Sequence, residues 1–233
     1  MIVIQPIGNY LSQDEDGFII NGFSLDMINH KWRTVLDIVK SGFVENLGEN
    51  LHSIYVRGSV ARDLAIDGIS NLDMFALVKP SFSKEKIRWQ VADFQVDIAK
   101  NIKEKYDFVS DVEIMLATYK EGFSDSNLAM IVKTQSVLLF GKSIIKTLKK
   151  YKADESMILN YHWLEANILD FIKINNVDFT LEKCSEIMKV ILRTGFELVM
   201  KRVGKFSPDL YICYRDFSKF YPNKEKEMRQ VLD

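Results

Sequence analysis

The pair Gly58-Ser59 is followed, after ten residues, by the run Ser70–Val78, in which Asn71 and Asp73 alternate with apolar residues. Alternate residues of a strand point to the same face, so Asn71 and Asp73 share one face while their apolar neighbours point to the core. A Gly-Ser turn at a helix start lets backbone N–H groups and a hydroxyl approach a phosphate closely. The pattern therefore predicts a phosphate-binding turn beside a ligand-bearing strand.

This layout resembles the signature of the DNA-polymerase-β-like nucleotidyltransferase superfamily, in which Gly-Ser precedes a strand that reads acid-hydrophobic-acid-hydrophobic. Gly58-Ser59 and Leu72-Asp73-Met74 fit the signature, whereas Asn71 stands where the first acid belongs. The resemblance implies that Gly58 and Ser59 hold the triphosphate of ATP or another nucleoside triphosphate and that Arg62 contacts it. It also implies that Asp73 binds Mg²⁺, with the neutral Asn71 as a weaker ligand.

A later strand is expected to supply the remaining metal-binding acid. Within Asp111-Val112-Glu113-Ile114-Met115, the two carboxylates point to one face. The Val112-Glu113-Ile114 triplet is similar to the Val-Glu-Val of aminoglycoside nucleotidyltransferases, and this likeness favours Glu113 as the metal ligand. Asp111 is the alternative, and Glu113 is preferred to it because Asp111 can equally lie at the entrance of the strand.

Apolar periodicity predicts the order of the elements in the first part of the chain. A leading helix is expected from Ser24, which is a good N-cap residue. The pattern then predicts a strand at His52–Val56, a short helix to Leu64, a strand at Leu72–Val78, a helix at Lys84–Lys105, a strand at Asp107–Ala117 and a strand over Val137–Lys142.

From Asp154 the pattern becomes helical, with periods at Met157–Ile174 and Leu181–Val203 and a final run at Leu210–Leu232. The fold class expected is α+β: a small mixed β-sheet nucleotidyltransferase core with flanking helices, followed by an all-helical C-terminal domain. Residues 1–152 are predicted to form the nucleotidyltransferase domain, including an N-terminal extension over residues 1–23 that packs on it. Residues 153–233 are predicted to form the helical substrate-binding domain.

The first helix of the predicted substrate-binding domain carries a candidate general base. The resemblance places a helical glutamate opposite the metal site, and Glu165 is the candidate for that role. The preceding His162 and Trp163 are interpreted as a surface residue and a core aromatic.

Charge and cysteine content restrict the partners. Thirty-one basic against 32 acidic residues give a formal charge of −1, so the chain has no global electrostatic preference for nucleic acid or an anionic membrane. Cys184 and Cys213 lack metal-ligand spacing, and neither a secretory signal nor an apolar run of about 20 residues is visible. A cytoplasmic location is expected, and a homodimer is left open.

The implied function is Mg²⁺-dependent transfer of a nucleoside monophosphate to a hydroxyl of a small molecule such as an aminoglycoside-like antibiotic, with AMP as the leading candidate for the transferred group. Asn71 is expected to weaken or abolish this activity, because it removes a negative charge from the metal site. Asn71 is compatible with a natural inactive relative, a natural enzyme that uses the amide, or an engineered substitution. Two alternatives stay open: a catalytically defective nucleotide-binding or interaction module, and a protein- or tRNA-modifying enzyme of the toxin–antitoxin type.

Overall fold

The structure is a computed structural model that describes residues 6–82, 84–119, 123, 126–165 and 181–232. The chain divides into two compact units. One runs from Asn21 to Lys149, and the other joins residues 6–20 to the described residues from Lys150 onward.

The unit Asn21–Lys149 is built on a mixed sheet of the strands β1 (Leu51–Val56), β2 (Leu72–Val78), β3 (Val112–Thr118) and β4 (Val137–Gly141). The strand order is β3-β2-β1-β4. β1 is antiparallel to both β2 and β4, whereas β2 and β3 are parallel. Parallel neighbours need a crossover connection, and the helix α3 (Lys84–Lys105) supplies it between β2 and β3.

Helices cover both faces of this sheet. On one face α1 (His30–Leu47) and α3 pack on the alternate apolar residues of β1 and β2, with Trp32, Val35 and Phe43 among the fully buried side chains. On the other face α4 (Asn127–Gln135) and the turn at Ile145–Thr147 cover Tyr55, Phe75 and Leu77. Because both faces are covered, β2 reads as an almost unbroken apolar run after Asp73.

Tyr55 ties the segment after β4 to the sheet. Its ring stacks on Phe75 at 5.3 Å between centroids, and its phenol oxygen accepts the backbone N–H of Ile144 at 3.0 Å. Burial raises the pKa of Tyr55, so the phenol stays protonated in this position.

The second unit is helical in its C-terminal part. The described helices of this part are α5 (residues 160–165), α6 (Leu181–Val203), α7 (Leu210–Phe220) and α8 (Glu225–Leu232). A Cβ on Gly195 of α6 would overlap the side chain of Met228, so glycine permits the close packing of α6 on α8. The predicted α+β class with a mixed sheet and a C-terminal helical region is confirmed.

A buried carboxylate of α6 organises the start of α5. Glu197 Oε1 accepts the backbone N–H groups of Leu159 and Asn160 at 3.0 and 2.8 Å, and Oε2 accepts that of Tyr161 at 2.8 Å. The first N–H groups of a helix have no partner within the helix. Glu197 therefore holds the N-terminus of α5 in place, and Glu165 lies further along the same helix.

The N-terminal segment differs from its predicted place. Residues 6–20 belong to the unit that contains the C-terminal helices, not to the unit that contains the sheet. The N–H of Leu11 donates to the carbonyl of Phe206 at 2.8 Å, and the hydroxyl of Ser207 donates to the carbonyl of Asn9 at 2.8 Å. Tyr10 also donates to the buried carboxylate of Asp216. These partners are remote in sequence, so no local pattern could indicate them.

Several element boundaries also differ from the predictions. α1 begins at His30 and not at Ser24. Its N-cap is Asn29, whose side chain accepts the N–H of Lys31. Ser24 precedes only a short 3-10 turn, and its side chain makes no capping hydrogen bond there. β3 begins at Val112 and not at Asp107, since residues 107 and 108 form a turn. The final run is two helices separated at Tyr221-Pro222, and the part of the predicted Met157–Ile174 helix beyond residue 165 lies outside the described residues.

Candidate active site

The Gly-Ser turn lies directly against the carboxylate of β2. After β1 ends, the N–H of Arg57 donates to the carbonyl of Asp73 at 2.9 Å, which fixes the start of the turn on β2. Gly58 has φ +74°, a left-handed conformation, and a Cβ at this position would overlap Asp73 Oδ2. Glycine is therefore required here both by the backbone conformation and by the carboxylate beside it.

Ser59 and Arg62 belong to the short helix α2 (Gly58–Ala61) and its C-terminal end. The Nε–H of Arg62 donates to the carbonyl of Gly58 at 3.1 Å, and the carbonyl of Ser59 accepts the N–H of Leu64 at 2.9 Å. Arg62 thus supports the turn that was predicted to bind the triphosphate. Its predicted contact with the triphosphate stays a prediction.

The two predicted metal-binding carboxylates are neighbours across the parallel strands. Asp73 of β2 is paired in register with Glu113 of β3. Asp73 is largely shielded, with 23% of its side chain exposed, whereas Glu113 is exposed. The alternative acid, Asp111, precedes β3. Its carboxylate accepts the N–H of Val112 at 2.9 Å and pairs with Lys103 at 3.6 Å. The register thus places Glu113 beside Asp73.

Asn71 is held by hydrogen bonds at both ends of its amide. Its Nδ2 donates to Glu113 Oε1 at 2.6 Å, and its Oδ1 accepts the hydroxyl of Ser110 at 2.6 Å. The amide therefore does what a carboxylate could not do at this position, because it supplies an N–H donor to Glu113. Because a carboxylate only accepts hydrogen bonds, Glu113 determines that the Nδ2 end of the amide faces it, and the hydroxyl of Ser110 donates to the other end.

Arg57 is a member of the site that the motif did not indicate. Its Nη2 lies 3.3 Å from Asp73 Oδ1, and 30% of its side chain is exposed. The only sequence signal is its position immediately before Gly58, and the ion pair depends on how the end of β1 lies against β2. Together Arg57, Asp73 and Glu113 carry one positive and two negative charges, which leaves the cluster with one net negative charge.

The donor set suits a hard cation. Mg²⁺ prefers oxygen ligands, and protein sites commonly give it one or two carboxylates plus the phosphates of a substrate. Asp73 and Glu113 provide two such carboxylates side by side. Within the described part of the chain no group of three or more His, Cys, Asp or Glu side chains could hold a metal ion. Together with the phosphates of a substrate, the carboxylates of Asp73 and Glu113 match the ligand set that Mg²⁺ commonly has in proteins.

Glu165 lies in the other unit, as the last described residue of α5, and its side chain is exposed. Trp163 was interpreted as a core aromatic, but 40% of it is exposed. His162 is exposed, in agreement with its interpretation as a surface residue. The role of Glu165 as a base stays a prediction.

One solved structure that resembles this chain is the spectinomycin adenyltransferase AAD(9) from Enterococcus, determined with ATP and spectinomycin. The two share 13% sequence identity and superpose with a TM-score of 0.57, over 86% of this chain and 88% of that chain. The chain has a nucleotidyltransferase-like fold. At this identity the likeness establishes the fold alone. No protein-family model and no curated protein matches the sequence.

Within the nucleotidyltransferase-like fold, the described helices include none that is long and apolar enough to cross a lipid bilayer. The cytoplasmic location and the oligomeric state stay predictions.

Proposed function

We propose that this chain is a Mg²⁺-dependent nucleotidyltransferase that transfers a nucleoside monophosphate to a hydroxyl of a small antibiotic-like acceptor. AMP is the leading candidate for the transferred group. The observation that carries the proposal is the pairing of Asp73 with Glu113 beside the Gly58-Ser59 turn in a nucleotidyltransferase-like fold. The resemblance of the fold to an adenyltransferase solved with ATP and an antibiotic supports the choice of both substrates.

The residues divide the chemistry between them. Gly58 and Ser59 would bind the triphosphate through backbone N–H groups and the Ser59 hydroxyl, and Arg62 braces this turn. Asp73 and Glu113 would hold Mg²⁺, which when bound offsets the negative charge of the triphosphate oxygens. Glu165 is the candidate that removes the proton from the acceptor hydroxyl.

Asn71 sets the expected rate. With an amide at this position the site has one carboxylate fewer than the superfamily signature, and the amide already donates to Glu113. We therefore infer a slow enzyme. The same hydrogen bond favours a second candidate function, a nucleotide-binding module without turnover. In such a module the Asn71 amide, and not a catalytic metal ion, would hold the carboxylate of Glu113 in place.

The first test is nucleotide binding. Calorimetry with Mg²⁺ should detect at least one of the four common nucleoside triphosphates. Glu113→Gln should weaken this binding at least about tenfold, since a metal-binding carboxylate is lost. Asp111→Asn is the matched control, because it removes a neighbouring carboxylate that pairs with Lys103, and it should leave the affinity within about twofold.

Binding of none of the four triphosphates would contradict the proposal, and a larger effect of Asp111→Asn than of Glu113→Gln would reassign the metal ligand. Measured pyrophosphate release with a panel of hydroxyl acceptors separates the two candidate functions. Binding without any release favours the module.

A second prediction concerns the general base. In an Asn71→Asp background, Glu165→Gln should lower turnover at least about a hundredfold and leave nucleotide affinity nearly unchanged, since the base acts on the acceptor and not on the triphosphate. Steady-state kinetics together with calorimetry measure both quantities. Glu155→Gln is the control, because Glu155 is an exposed carboxylate of the same unit that pairs with Lys201. Equal turnover in the two variants would leave the base unidentified.

A further inference from the structure

The two carboxylates of the site each have a protein N–H donor. Arg57 Nη2 lies 3.3 Å from Asp73 Oδ1, and Asn71 Nδ2 donates to Glu113 Oε1 at 2.6 Å. The superfamily signature has an acid where Asn71 stands. A carboxylate at this position would repel that of Glu113 unless a cation lay between them. In this chain the arrangement needs no cation to hold it together.

Arg57 also retains unused capacity to bind an anion. A guanidinium has five N–H donors in a planar fork. Nη2 makes the contact with Asp73, while Nε is buried and has no hydrogen-bond partner among the described residues. The contact of Arg57 Nη2 with Asp73 Oδ1, at 3.3 Å, is longer than a typical N–H···O hydrogen bond, whereas a phosphate can accept two parallel N–H bonds from one guanidinium. An arriving phosphate would therefore compete well for Arg57.

Arg57 lies next to the turn that is proposed to bind the triphosphate. It immediately precedes Gly58, and its backbone N–H is fixed on the carbonyl of Asp73 at 2.9 Å. The side chain therefore starts from a rigid point next to the turn.

We propose that Arg57 is a further nucleotide-binding residue, which pairs with Asp73 in the free protein and moves to the triphosphate on binding, so that the site captures a triphosphate without a divalent cation. The proposal rests on the nucleotide site proposed above. It adds a metal-independent binding step in which Mg²⁺ can then bind the Asp73 that Arg57 has released.

Calorimetry in EDTA with ATP and with inorganic tripolyphosphate tests the proposal. The unmodified protein should bind both, and Arg57→Ala should weaken both affinities at least about tenfold. Asp73→Asn should have opposite effects in the two conditions. In EDTA it should tighten ATP binding about threefold or more, because Arg57 is free of its partner, and in Mg²⁺ it should weaken binding.

Two further variants serve as controls for Arg57→Ala. Arg57→Lys keeps the charge but loses the planar fork, so its affinity should fall between those of the unmodified protein and Arg57→Ala. Lys31→Ala removes an equal charge from an ion pair with Asp67 in the same unit, and it should leave the affinity unchanged. Thermal unfolding of each variant shows that it is folded, and Arg57→Lys replaces Arg57→Ala where the latter is not.

The outcomes separate this proposal from the function above. ATP binding in Mg²⁺ that vanishes in EDTA would overturn the role of Arg57 and leave the nucleotidyltransferase proposal intact. So would an Arg57→Ala protein with unchanged metal-free affinity, or an Asp73→Asn protein that binds less tightly in both conditions. No ATP binding in either condition would overturn both proposals.

Discussion

Replacing Asn71 by aspartate is expected to raise turnover at least about a hundredfold, because a metal-binding carboxylate commonly supplies several kcal/mol of transition-state charge stabilisation and each 1.36 kcal/mol is a factor of ten. The structure gives the reason. Asn71 Nδ2 lies 2.6 Å from Glu113 Oε1, and a carboxylate in its place would set two negative groups at hydrogen-bonding distance. Such a pair favours a bound cation. Pyrophosphate release in Mg²⁺ with a panel of hydroxyl acceptors measures the effect.

The matched control for this substitution is Ser110→Ala. It removes the hydroxyl that donates to Asn71 Oδ1 at 2.6 Å and adds no charge, so it should change turnover by only a few-fold. Metal-free ATP affinity should fall in Asn71→Asp, because the site gains a negative charge and Glu113 loses a donor. Equal turnover of Asn71→Asp and the unmodified chain, on a substrate that clearly reacts, would show that position 71 is not a metal ligand.

Gly58→Ala is expected to disable the site. A non-glycine residue in the left-handed region costs about 1–2 kcal/mol, and at φ +74° the new Cβ would also overlap Asp73 Oδ2. Either the turn or the carboxylate must move. We expect Mg²⁺-dependent ATP affinity to fall at least about tenfold and turnover at least about a hundredfold, because displacement of a reacting group by about 1 Å has effects of this size.

Gly68→Ala separates backbone strain from displacement of the carboxylate. Gly68 has φ +70° in the same unit, and the nearest atom to its Cβ would be the carbonyl oxygen of Asp107 at 3.9 Å, an ordinary contact. Both variants should therefore lose similar stability in urea unfolding, and only Gly58→Ala should lose ATP binding. Equal losses of ATP affinity in Gly58→Ala and Gly68→Ala would mean that Gly58 affects binding only through the stability of the fold.

The sheet and its carboxylates were accessible from the sequence because their signals are local. β2 is an apolar run that ends before Pro80, and its observed limits, Leu72–Val78, are the predicted ones. The common face of Asn71 and Asp73 follows from the two-residue period of a strand. The limits of α3 were predicted correctly for a similar reason, since its pattern is long and regular.

The remaining features depend on contacts between distant parts of the chain. The pairing of Arg57 with Asp73 requires the antiparallel arrangement of β1 and β2. The hydrogen bond from Asn71 to Glu113 requires the parallel register of β2 and β3. Neither arrangement follows from the residues around the motif, so the sequence did not indicate that Asn71 donates to Glu113. The role of Asn71 as a weaker metal ligand stays a prediction.

The contacts of the N-terminal segment have a consequence for synthesis of the chain. The N–H of Asn9 donates to Asp209, 200 residues later, so at about 5–20 residues per second the segment waits roughly 10–40 s for its partner to be made. The unit Asn21–Lys149 is contiguous and can fold during that interval. Residues 6–20 are made before the unit Asn21–Lys149, yet some of their native contacts are among the last to form. A chain that ends before Phe206 therefore has a folded sheet, but Leu11 and Asn9 have no partner because Phe206 and Asp209 were never made.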